Sequence, residues 1–254
     1  MEKRLIVITG ATGGIAQELV KLIPESDQLI LMGRSQERLL EAFGSKANQH
    51  LMALDITDDA AVQEAVESIY QQFGQIDIFI NNAGFGEFKA YDQYDSETIR
   101  QMFDVNTIAM INFSRLVGQK MAERGQGQLI NIVSIAGLVA SAKSTIYSAS
   151  KFAMIGFSNA LRLELADAGV YVTTVNPGPI ATKFFDKADP SGDYLKSVQQ
   201  YTLQADVVAK RIYKIFGKNK RELNMPFSLA ATAKLYSLFP KTGDYLARKV
   251  FNYK

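Results

Sequence analysis

The sequence predicts an α/β fold, in which about seven parallel strands form one doubly wound sheet with helices on both faces. Two observations lead to this prediction. Short apolar runs, typical of strands buried on both faces, alternate along the chain with helical patterns, beginning with residues 5–8 and 15–23. The connections between them are short, as in a single open sheet wound in this way. A length of 254 residues suits one large domain, so we expect a single domain over residues 1–254.

The composition excludes several classes of function. A net charge of +2 gives no argument for a nucleic-acid partner, and the absence of cysteine excludes disulfides, thiolate metal sites and a cysteine nucleophile. The single histidine, His50, opens a predicted strand, and no other feature supports a Ser-His-Asp hydrolase or a metal site. The sequence has neither a signal-peptide pattern nor a run of roughly 18 apolar residues, so we expect a cytoplasmic protein.

The first strand leads into a glycine-rich turn, and a helical pattern follows at once. Glycines let the backbone approach a dinucleotide pyrophosphate, while the start of the helix supplies free N–H groups and a favourable dipole. Such a segment can also be only a turn, but its position directly after strand one favours a nucleotide site. The cofactor-binding residues predicted in this turn are Gly10, Thr12, Gly13, Gly14 and Ile15.

The end of the second predicted strand, residues 28–32, bears on the choice of cofactor. In dinucleotide folds this strand end meets the adenosine ribose, where a carboxylate accepts from the 2′-hydroxyl of NAD and an arginine pairs with the 2′-phosphate of NADP. Here Gly33 is followed by Arg34 and Ser35, without a carboxylate. We therefore expect Arg34 and Ser35 to bind the 2′-phosphate and NADP(H) to be preferred over NAD(H). The alternative is that Arg34 is only an exposed loop residue.

Polar and small residues follow three of the other predicted strands. The first residues after these strands are Asn81, Ser134 and Asn176. Because the carboxyl ends of parallel strands meet at one edge of the sheet, where ligands bind in open sheets, we expect these segments to converge near Gly10. Asn81 and Asn82 can also be simple turn residues, but their position at this edge favours a role with the cofactor.

Tyr147 and Lys151 are four residues apart in a predicted helix, so their side chains project from one face. A phenol has a reference pKa of ~10, and an ammonium roughly 4 Å away, at an effective dielectric of ~20, favours the phenolate by about 4 kcal/mol. The spacing therefore predicts a tyrosine that acts as a general acid and base at neutral pH. The same spacing occurs on ordinary helices, where the tyrosine is buried and the lysine is solvated.

In combination these motifs resemble the short-chain dehydrogenase/reductase family over about residues 4–182. The resemblance rests on Thr9-Gly10-x-x-x-Gly14-Ile15-Ala16, on Asn81-Asn82-Ala83-Gly84 and on the tetrad Asn106, Ser134, Tyr147 and Lys151. Ala16 departs from the family, which commonly has glycine there. Gly13 stands where some NADP-dependent members have a basic residue.

The resemblance implies a Rossmann-type fold and an enzyme that passes hydride between nicotinamide C4 and a carbonyl carbon. Tyr147 would give or take the proton on oxygen, and Ser134 would hydrogen-bond the same oxygen. Lys151 would lower the pKa of Tyr147 and bind the nicotinamide ribose together with it. Asn106 would hold a water linking Lys151 to solvent, although a lone asparagine in an apolar helix usually satisfies a local backbone group. Further cofactor contacts are implied for Asp55, Ile56, Asn82, Ala83, Gly84, Pro177, Gly178, Ile180 and Thr182.

The substrate site is expected beyond the cofactor-binding and catalytic core of residues 1–182. Residues 183–203 form a predicted lid, and the opposite wall is expected to contain Val139, Ala140, Lys143 and Ile146. These walls predict a carbonyl or secondary alcohol on an apolar body. Two other functions stay open. A non-catalytic NADP-binding regulatory or scaffold protein would be expected to lack part of the tetrad, and a nucleotide-sugar epimerase would need a further sugar-binding domain.

Residues 218–254 form a predicted helical extension with eight basic and two acidic residues, interleaved with aromatic ones. Such a tail can pack over the substrate pocket or a partner subunit, or it can lie on an anionic membrane surface. We expect it to close the pocket. We also expect a homodimer formed through residues 107–124 and 147–165, with a tetramer as the alternative.

Overall fold

Seven parallel strands form one sheet in the order β3-β2-β1-β4-β5-β6-β7. The computed structural model describes residues 3–250, with all their side chains except those of Ser197 and residues 246–250. The strands are β1 (Leu5–Ile8), β2 (Gln28–Gly33), β3 (Gln49–Ala53), β4 (Ile78–Asn81), β5 (Gly127–Ile132), β6 (Val170–Pro177) and β7 (Glu222–Met225). The predicted doubly wound parallel sheet is confirmed.

Helices connect the strands and cover both faces of the sheet. Those before β5 are α1 (Gly14–Val20), α2 (Gln36–Phe43), α3 (Asp59–Phe73), α4 (Ser96–Phe103) and α5 (Ala109–Arg124). Those after it are α6 (Thr145–Glu164), α7 (Phe184–Ala188), α8 (Asp193–Ser197), α9 (Ala205–Tyr213), α10 (Phe227–Leu238) and α11 (Pro240–Val250). No helix among the described residues is long and apolar enough to cross a membrane.

Alternate residues of the strands enter two separate cores. Ile6 and Ile8 of β1 pack with α1, α2 and α9, whereas Leu5 and Val7 pack with α3 and α5 on the other face. Successive strand side chains point to opposite faces, so a strand covered on both sides must be apolar throughout. Each fully buried Leu, Ile or Val contributes about 1.5–3 kcal/mol of transfer free energy.

Local side-chain bonds fix where several of the helices begin. Asp58 accepts from the backbone N–H groups of Ala60 and Ala61 at the start of α3, and Asp95 accepts from that of Thr98 at the start of α4. A carboxylate at this position satisfies N–H groups that have no partner within the helix. These caps determine where the chain leaves each loop, and thus which residues remain at the sheet edge.

The strand order reverses direction between β1 and β4, which lie side by side in the middle of the sheet. Connections that leave these two strands toward opposite sides open a crevice at their carboxyl ends. The segments after β5 and β6 reach the same edge. The fold therefore gathers the predicted site residues at one place.

Candidate active site

One pocket opens at the carboxyl ends of β1, β4, β5 and β6. Its lining includes many of the residues predicted from the sequence, namely Ile15, Asn82, Gly84, Ser134, Tyr147, Lys151, Pro177, Gly178, Ile180 and Thr182. The remaining predicted cofactor residues lie outside this lining, and they are Gly10, Thr12, Gly13, Gly14, Arg34, Ser35, Asp55, Ile56 and Ala83. They follow β1, β2, β3 and β4 along the same sheet edge, which is the direction in which a dinucleotide extends.

The turn after β1 is built from backbone in close contact with its neighbours. A Cβ atom at Gly10, whose φ is 61°, would lie 2.7 Å from Ala83 Cα, and one at Gly14 would lie 2.7 Å from Thr182 Cγ2. Both positions therefore need glycine for packing alone. The Asn82 side chain donates to the carbonyl oxygens of Thr9 and Gly10 at 3.1 and 3.0 Å and holds the turn in place. The result is a bare backbone surface that fits a dinucleotide pyrophosphate.

Tyr147 and Lys151 lie one turn apart on α6, and both are almost fully buried. Lys151 Nζ is 5.8 Å from the centroid of the Tyr147 ring and donates to the carbonyl oxygen of Ile132 at 3.3 Å. The alternative of a solvated lysine is therefore wrong, because Lys151 is only 3% exposed. Ser134 follows β5, where its Oγ accepts from the Ala136 N–H at 3.1 Å. The three predicted catalytic side chains thus share one enclosed space.

Burial dominates the ionisation of this pair. It raises the pKa of Tyr147 to about 12, and an interaction with the Ser134 hydroxyl opposes that shift only in part. Burial also lowers the pKa of Lys151 to about 8. The net shift of the Tyr147 pKa is therefore upward, opposite to the direction predicted from its spacing with Lys151. A buried phenolate loses its hydration, and this loss is the largest cause of the shift.

Asn106 lies in a single π-helical turn, Asp104–Ile108, between α4 and α5. Its Oδ1 accepts from the Phe85 N–H at 2.9 Å, and its Nδ2 donates to the Phe85 carbonyl at 2.9 Å and to Ser150 Oγ at 3.1 Å. A Cβ at Gly84 would lie 3.1 Å from Asn106 Oδ1 and 3.3 Å from Lys151 Nζ. Asn106 therefore anchors the loop after β4, and glycine at position 84 leaves space between the amide and the ammonium.

The residues after β2 and β3 lie along the part of this edge where the sequence predicts the adenosine of the cofactor. Arg34 is exposed. Ser35 Oγ accepts from the Arg38 N–H at 3.2 Å, so this hydroxyl caps α2. The Asp55 carboxylate accepts from the N–H and hydroxyl of Thr57, which lowers the Asp55 pKa, and the charge of Arg34 contributes to the same shift. Arg34 and Asp55 therefore follow neighbouring strands of the sheet.

Four aromatic side chains cover the pocket above Tyr147. Phe88 and Phe184 have ring centroids 5.6 and 5.8 Å from that of Tyr147, while Tyr194 packs on Phe88 at 4.9 Å and on Phe185 at 5.9 Å. Three of them belong to the predicted lid of residues 183–203. Phe88 is an addition that the sequence analysis missed, and the only signal for it was an aromatic pair in the loop after Gly84.

The wall next to α6 differs from its prediction. Val139, Ala140, Lys143 and Ile146 do not line the pocket, whereas Ser141 and Ser144 do. The loop before α6 is irregular, with a left-handed φ of 62° at Lys143, so its sequence has no period from which inward-facing side chains could be predicted. The Ser141 and Ser144 hydroxyls are 2.9 Å apart. They add a polar strip to a wall that was predicted to be apolar.

The described part of the C-terminal extension does not line the pocket, contrary to the prediction that the extension closes it, and residues 251–254 lie outside the described residues. Among the described residues, the lining ends at Tyr194. α10 packs behind the pocket wall, since a Cβ at Gly178 would lie 2.9 Å from Leu229 Cδ1. The segment that carries α7 and α8 covers the pocket instead, and the Phe88 N–H donates to the Ala188 carbonyl at 2.8 Å. The physical reason is that α10 packs with one face on the back of the pocket wall, at Gly178, whereas α7 lies over the opening of the pocket.

Comparisons with known proteins agree with this geometry. The family model for short chain dehydrogenase matches residues 4–192. A 3-ketodihydrosphingosine reductase of Bacteroides thetaiotaomicron is 32% identical over 191 residues, which are 75% of this chain and 69% of the relative. The closed form of a serine dehydrogenase complexed with NADP⁺ is 29% identical with a TM-score of 0.77, covering 87% of this chain and 94% of that one.

A short-chain dehydrogenase/reductase of Burkholderia phymatum, solved in complex with NAD, has a TM-score of 0.85 over 95% of both chains. At 20% identity this likeness concerns the fold. The family match covers most of the chain, including every residue of the tetrad, and the tetrad's side chains meet in the pocket or beside it. The chain therefore belongs to the short-chain dehydrogenase family and is an oxidoreductase.

Proposed function

We propose that the chain transfers hydride between NADP(H) and a carbonyl or secondary alcohol on an apolar substrate, with Tyr147 as the general acid and base. One observation carries this proposal. Tyr147, Ser134 and Lys151 line the same pocket, where the Ser134 hydroxyl lies just beyond the end of β5 and donates to the Pro177 carbonyl at 3.4 Å. A proton donor beside a second hydroxyl is the arrangement that a carbonyl oxygen needs when it becomes an alkoxide.

The nicotinamide, when bound, supplies or accepts the hydride. In the direction of reduction, the Tyr147 hydroxyl donates its proton to the carbonyl oxygen, and Ser134 Oγ–H donates a hydrogen bond to the same atom. With a pKa of about 12, Tyr147 is in its donor form at neutral pH. The Lys151 ammonium then stabilises the phenolate that forms on Tyr147, which is a stabilisation realised only as the proton leaves.

We assign Asn106 the positioning of a water next to Lys151. Its Oδ1 accepts one hydrogen bond, from Phe85, and an amide oxygen can accept a second. The space beside Gly84 borders both Oδ1 and Lys151 Nζ. Such a water would return a proton to Lys151 from solvent between turnovers.

The substrate is proposed to carry its carbonyl on an apolar body. The pocket is covered by the rings of Phe88, Phe184, Phe185 and Tyr194, and aromatic rings favour apolar ligand surface. One relative is named for action on 3-ketodihydrosphingosine, which supports a ketone of this kind. Ser141 and Ser144 supply hydroxyls for a second polar group of the substrate.

Arg34 supports a preference for NADPH over NADH. It is exposed at the end of β2, and Gly33 before it offers no carboxylate to the ribose. We expect Arg34→Ser to raise the KM for NADPH about tenfold or more and to leave that for NADH within about twofold, because only the 2′-phosphate needs the guanidinium. Arg100→Ser, at an exposed arginine on α4, is the matched control and should change neither KM. Equal KM values for both cofactors in the native enzyme would contradict the preference.

We also propose a homodimer through α5 and α6. Ile108 and Phe152 are each 44% exposed and Leu163 is 77% exposed on or next to these helices, which leaves apolar area for a partner copy. Sedimentation velocity should give twice the mass of 28.1 kDa, and Phe152→Lys should shift it toward the monomer. The cytoplasmic location stays a prediction from the sequence.

The proposed function is tested by following NADPH absorbance against a panel of aliphatic and aromatic ketones, with NADH in parallel. We expect turnover with at least one apolar ketone and a higher kcat/KM with NADPH. Tight NADPH binding without turnover of any ketone or secondary alcohol would favour the non-catalytic alternative.

A further inference from the structure

Helix α10 is apolar on two opposite faces, but the fold covers only one of them. Its inner face carries Leu229 against Gly178 and the buried Ala233. On the outer face, Phe227 is 85% exposed, Leu235 58% and Leu238 71%. At roughly 100° per residue these three positions lie within about 80° of one another around the helix. A helix that is apolar on all sides normally has both faces covered.

The same exposed character continues through the turn into α11. Phe239 is 61% exposed and Tyr245 is 63% exposed, so five of the eleven large exposed hydrophobic side chains among the described residues fall within residues 227–245. The hairpin holds its shape through Tyr236, whose ring lies on Gly243 and whose hydroxyl donates to Asp244 Oδ1 at 2.6 Å. We call Phe227, Leu235, Leu238, Phe239 and Tyr245 the hairpin surface. A concentration of this kind marks an interaction site.

The charge next to this surface selects the kind of partner. Residues 227–250 contain four basic residues and one acidic residue, whereas the whole chain has an excess of only two positive charges. Lys234 and Lys241 are exposed beside the apolar side chains. A second copy docked symmetrically on the hairpin surface would bring these like charges together. An anionic lipid surface accepts the apolar side chains and attracts the lysines at the same time.

We propose that the α10–α11 hairpin binds the chain to the surface of an anionic lipid bilayer. Phe227, Leu235, Leu238, Phe239 and Tyr245 enter the boundary between headgroups and acyl chains. Lys234 and Lys241 extend toward the headgroup phosphates, as lysines at such boundaries do. The hairpin lies on the surface and does not span the bilayer.

This position has a consequence for the substrate, which rests on the proposed function. Leu229 of the same helix packs on Gly178, and Gly178 lines the catalytic pocket. A bilayer on the outer face of α10 would therefore lie near the pocket, where an apolar carbonyl compound dissolved in lipid is concentrated. Lipid binding itself does not depend on turnover and can be measured without it.

The experiment is flotation of the intact protein with vesicles of phosphatidylcholine alone or with phosphatidylglycerol, at low and high salt. We expect the protein to float with the anionic vesicles at low salt and to be released in part by high salt, since screening weakens the lysine contacts. Absence of flotation with the anionic vesicles at low salt would overturn the proposal.

Two variants locate the binding surface. Leu235→Asp combined with Leu238→Asp should reduce the vesicle-bound fraction about tenfold or more, because both side chains would carry charge into the lipid. Leu40→Asp is the control, since Leu40 is an exposed leucine on α2, away from the hairpin and from the helices of the proposed dimer, and it should float like the native protein. Equal loss in both variants would contradict the assignment to the hairpin.

Sedimentation velocity and thermal melting of each variant separate lipid binding from the competing outcomes. A hairpin variant that keeps its melting temperature and its mass but no longer floats supports the proposal. A hairpin variant whose mass in solution falls, while the native protein floats with neither kind of vesicle, would show that the surface is an interface between copies. In that case the proposal is wrong, whether or not the enzyme reduces ketones.

Discussion

Lys151 forms no ion pair with the other described residues, and its buried site favours the neutral amine over the ammonium. Burial lowers its pKa from 10.5 to about 8, and its ammonium donates to the Ile132 carbonyl. Because the pKa of Lys151 is lower in the folded chain than in the unfolded chain, its positive charge reduces the free energy of unfolding. The full reduction applies below about pH 8, where Lys151 is protonated in both the folded and the unfolded chain. The reduction disappears as the pH rises toward the unfolded value. The residue that serves the chemistry therefore weakens the fold at neutral pH.

Replacing Lys151 by methionine should accordingly stabilise the protein and inactivate it. A shift of about 2.5 pKa units corresponds to an upper bound of roughly 3 kcal/mol, and loss of the bond to Ile132 leaves an expected gain of about 1–2 kcal/mol at pH 7. Urea unfolding without cofactor measures this gain at pH 7 and pH 10, with the exposed Lys120→Met as control. A gain of the same size at both values would show that ionisation of Lys151 is not its cause.

The same pKa shift predicts how reduction depends on pH. The Lys151 ammonium stabilises the phenolate left on Tyr147, so kcat/KM for a ketone should be level below about pH 8 and decrease above it. Tyr147, with its pKa raised to about 12, remains protonated throughout this range and is not the cause. A pH–rate profile with NADPH as the cofactor measures this decrease in kcat/KM above about pH 8. A level profile up to pH 10 would contradict this role of Lys151.

At the scale of elements, the cover of the pocket depends on contacts between α7 and the loop after β4. Phe184 lies against Phe88 and Tyr147, and a Cβ at Gly86 would lie 2.9 Å from Phe184 Cζ. Each aromatic pair contributes about 0.5–1.5 kcal/mol beyond the area it buries. The closed position of α7 is therefore maintained mainly by this aromatic packing.

Phe184→Ala should open the cover without disturbing the cofactor residues. We expect kcat/KM for an apolar ketone to fall about tenfold, a loss of roughly 1.4 kcal/mol, and the Kd for NADPH to stay within about twofold. Tyr91→Ala removes an aromatic ring that is 79% exposed and outside the pocket, so it should change neither value. A weaker Kd for NADPH with unchanged kcat/KM would place Phe184 against the cofactor instead of the substrate.

Strand ends could be predicted from the sequence, and loop interiors could not. Apolar runs and helical spacing locate Ser134, Asn82 and Pro177 correctly, because period and burial are linked in regular elements. The loop between β5 and α6 has no such period. There Ser141 and Ser144 line the pocket, and the four residues predicted for that wall do not. The π-helical turn around Asn106 has no local sequence signal either.

At the scale of the whole molecule, two properties depend on packing between distant parts of the chain. The pKa of Tyr147 follows from the burial of its own side chain, which local spacing with Lys151 does not reveal. The face of α10 that becomes covered is decided by Gly178, about fifty residues before Leu229 in the sequence. The sequence correctly indicated a basic, aromatic extension, but the position of its uncovered face is a property of the fold.

The central claim is that the Tyr147 phenol carries the proton, and Tyr147→Phe tests it most directly. The substitution removes one oxygen and keeps the ring against Phe88 and Phe184, so the variant should fold and still bind NADPH. Single-turnover and steady-state reduction of a ketone by NADPH should slow about a hundredfold or more, with the exposed Tyr91→Phe as control. Retention of more than about a tenth of the native kcat, equivalent to under ~1.4 kcal/mol of transition-state free energy, would contradict the claim.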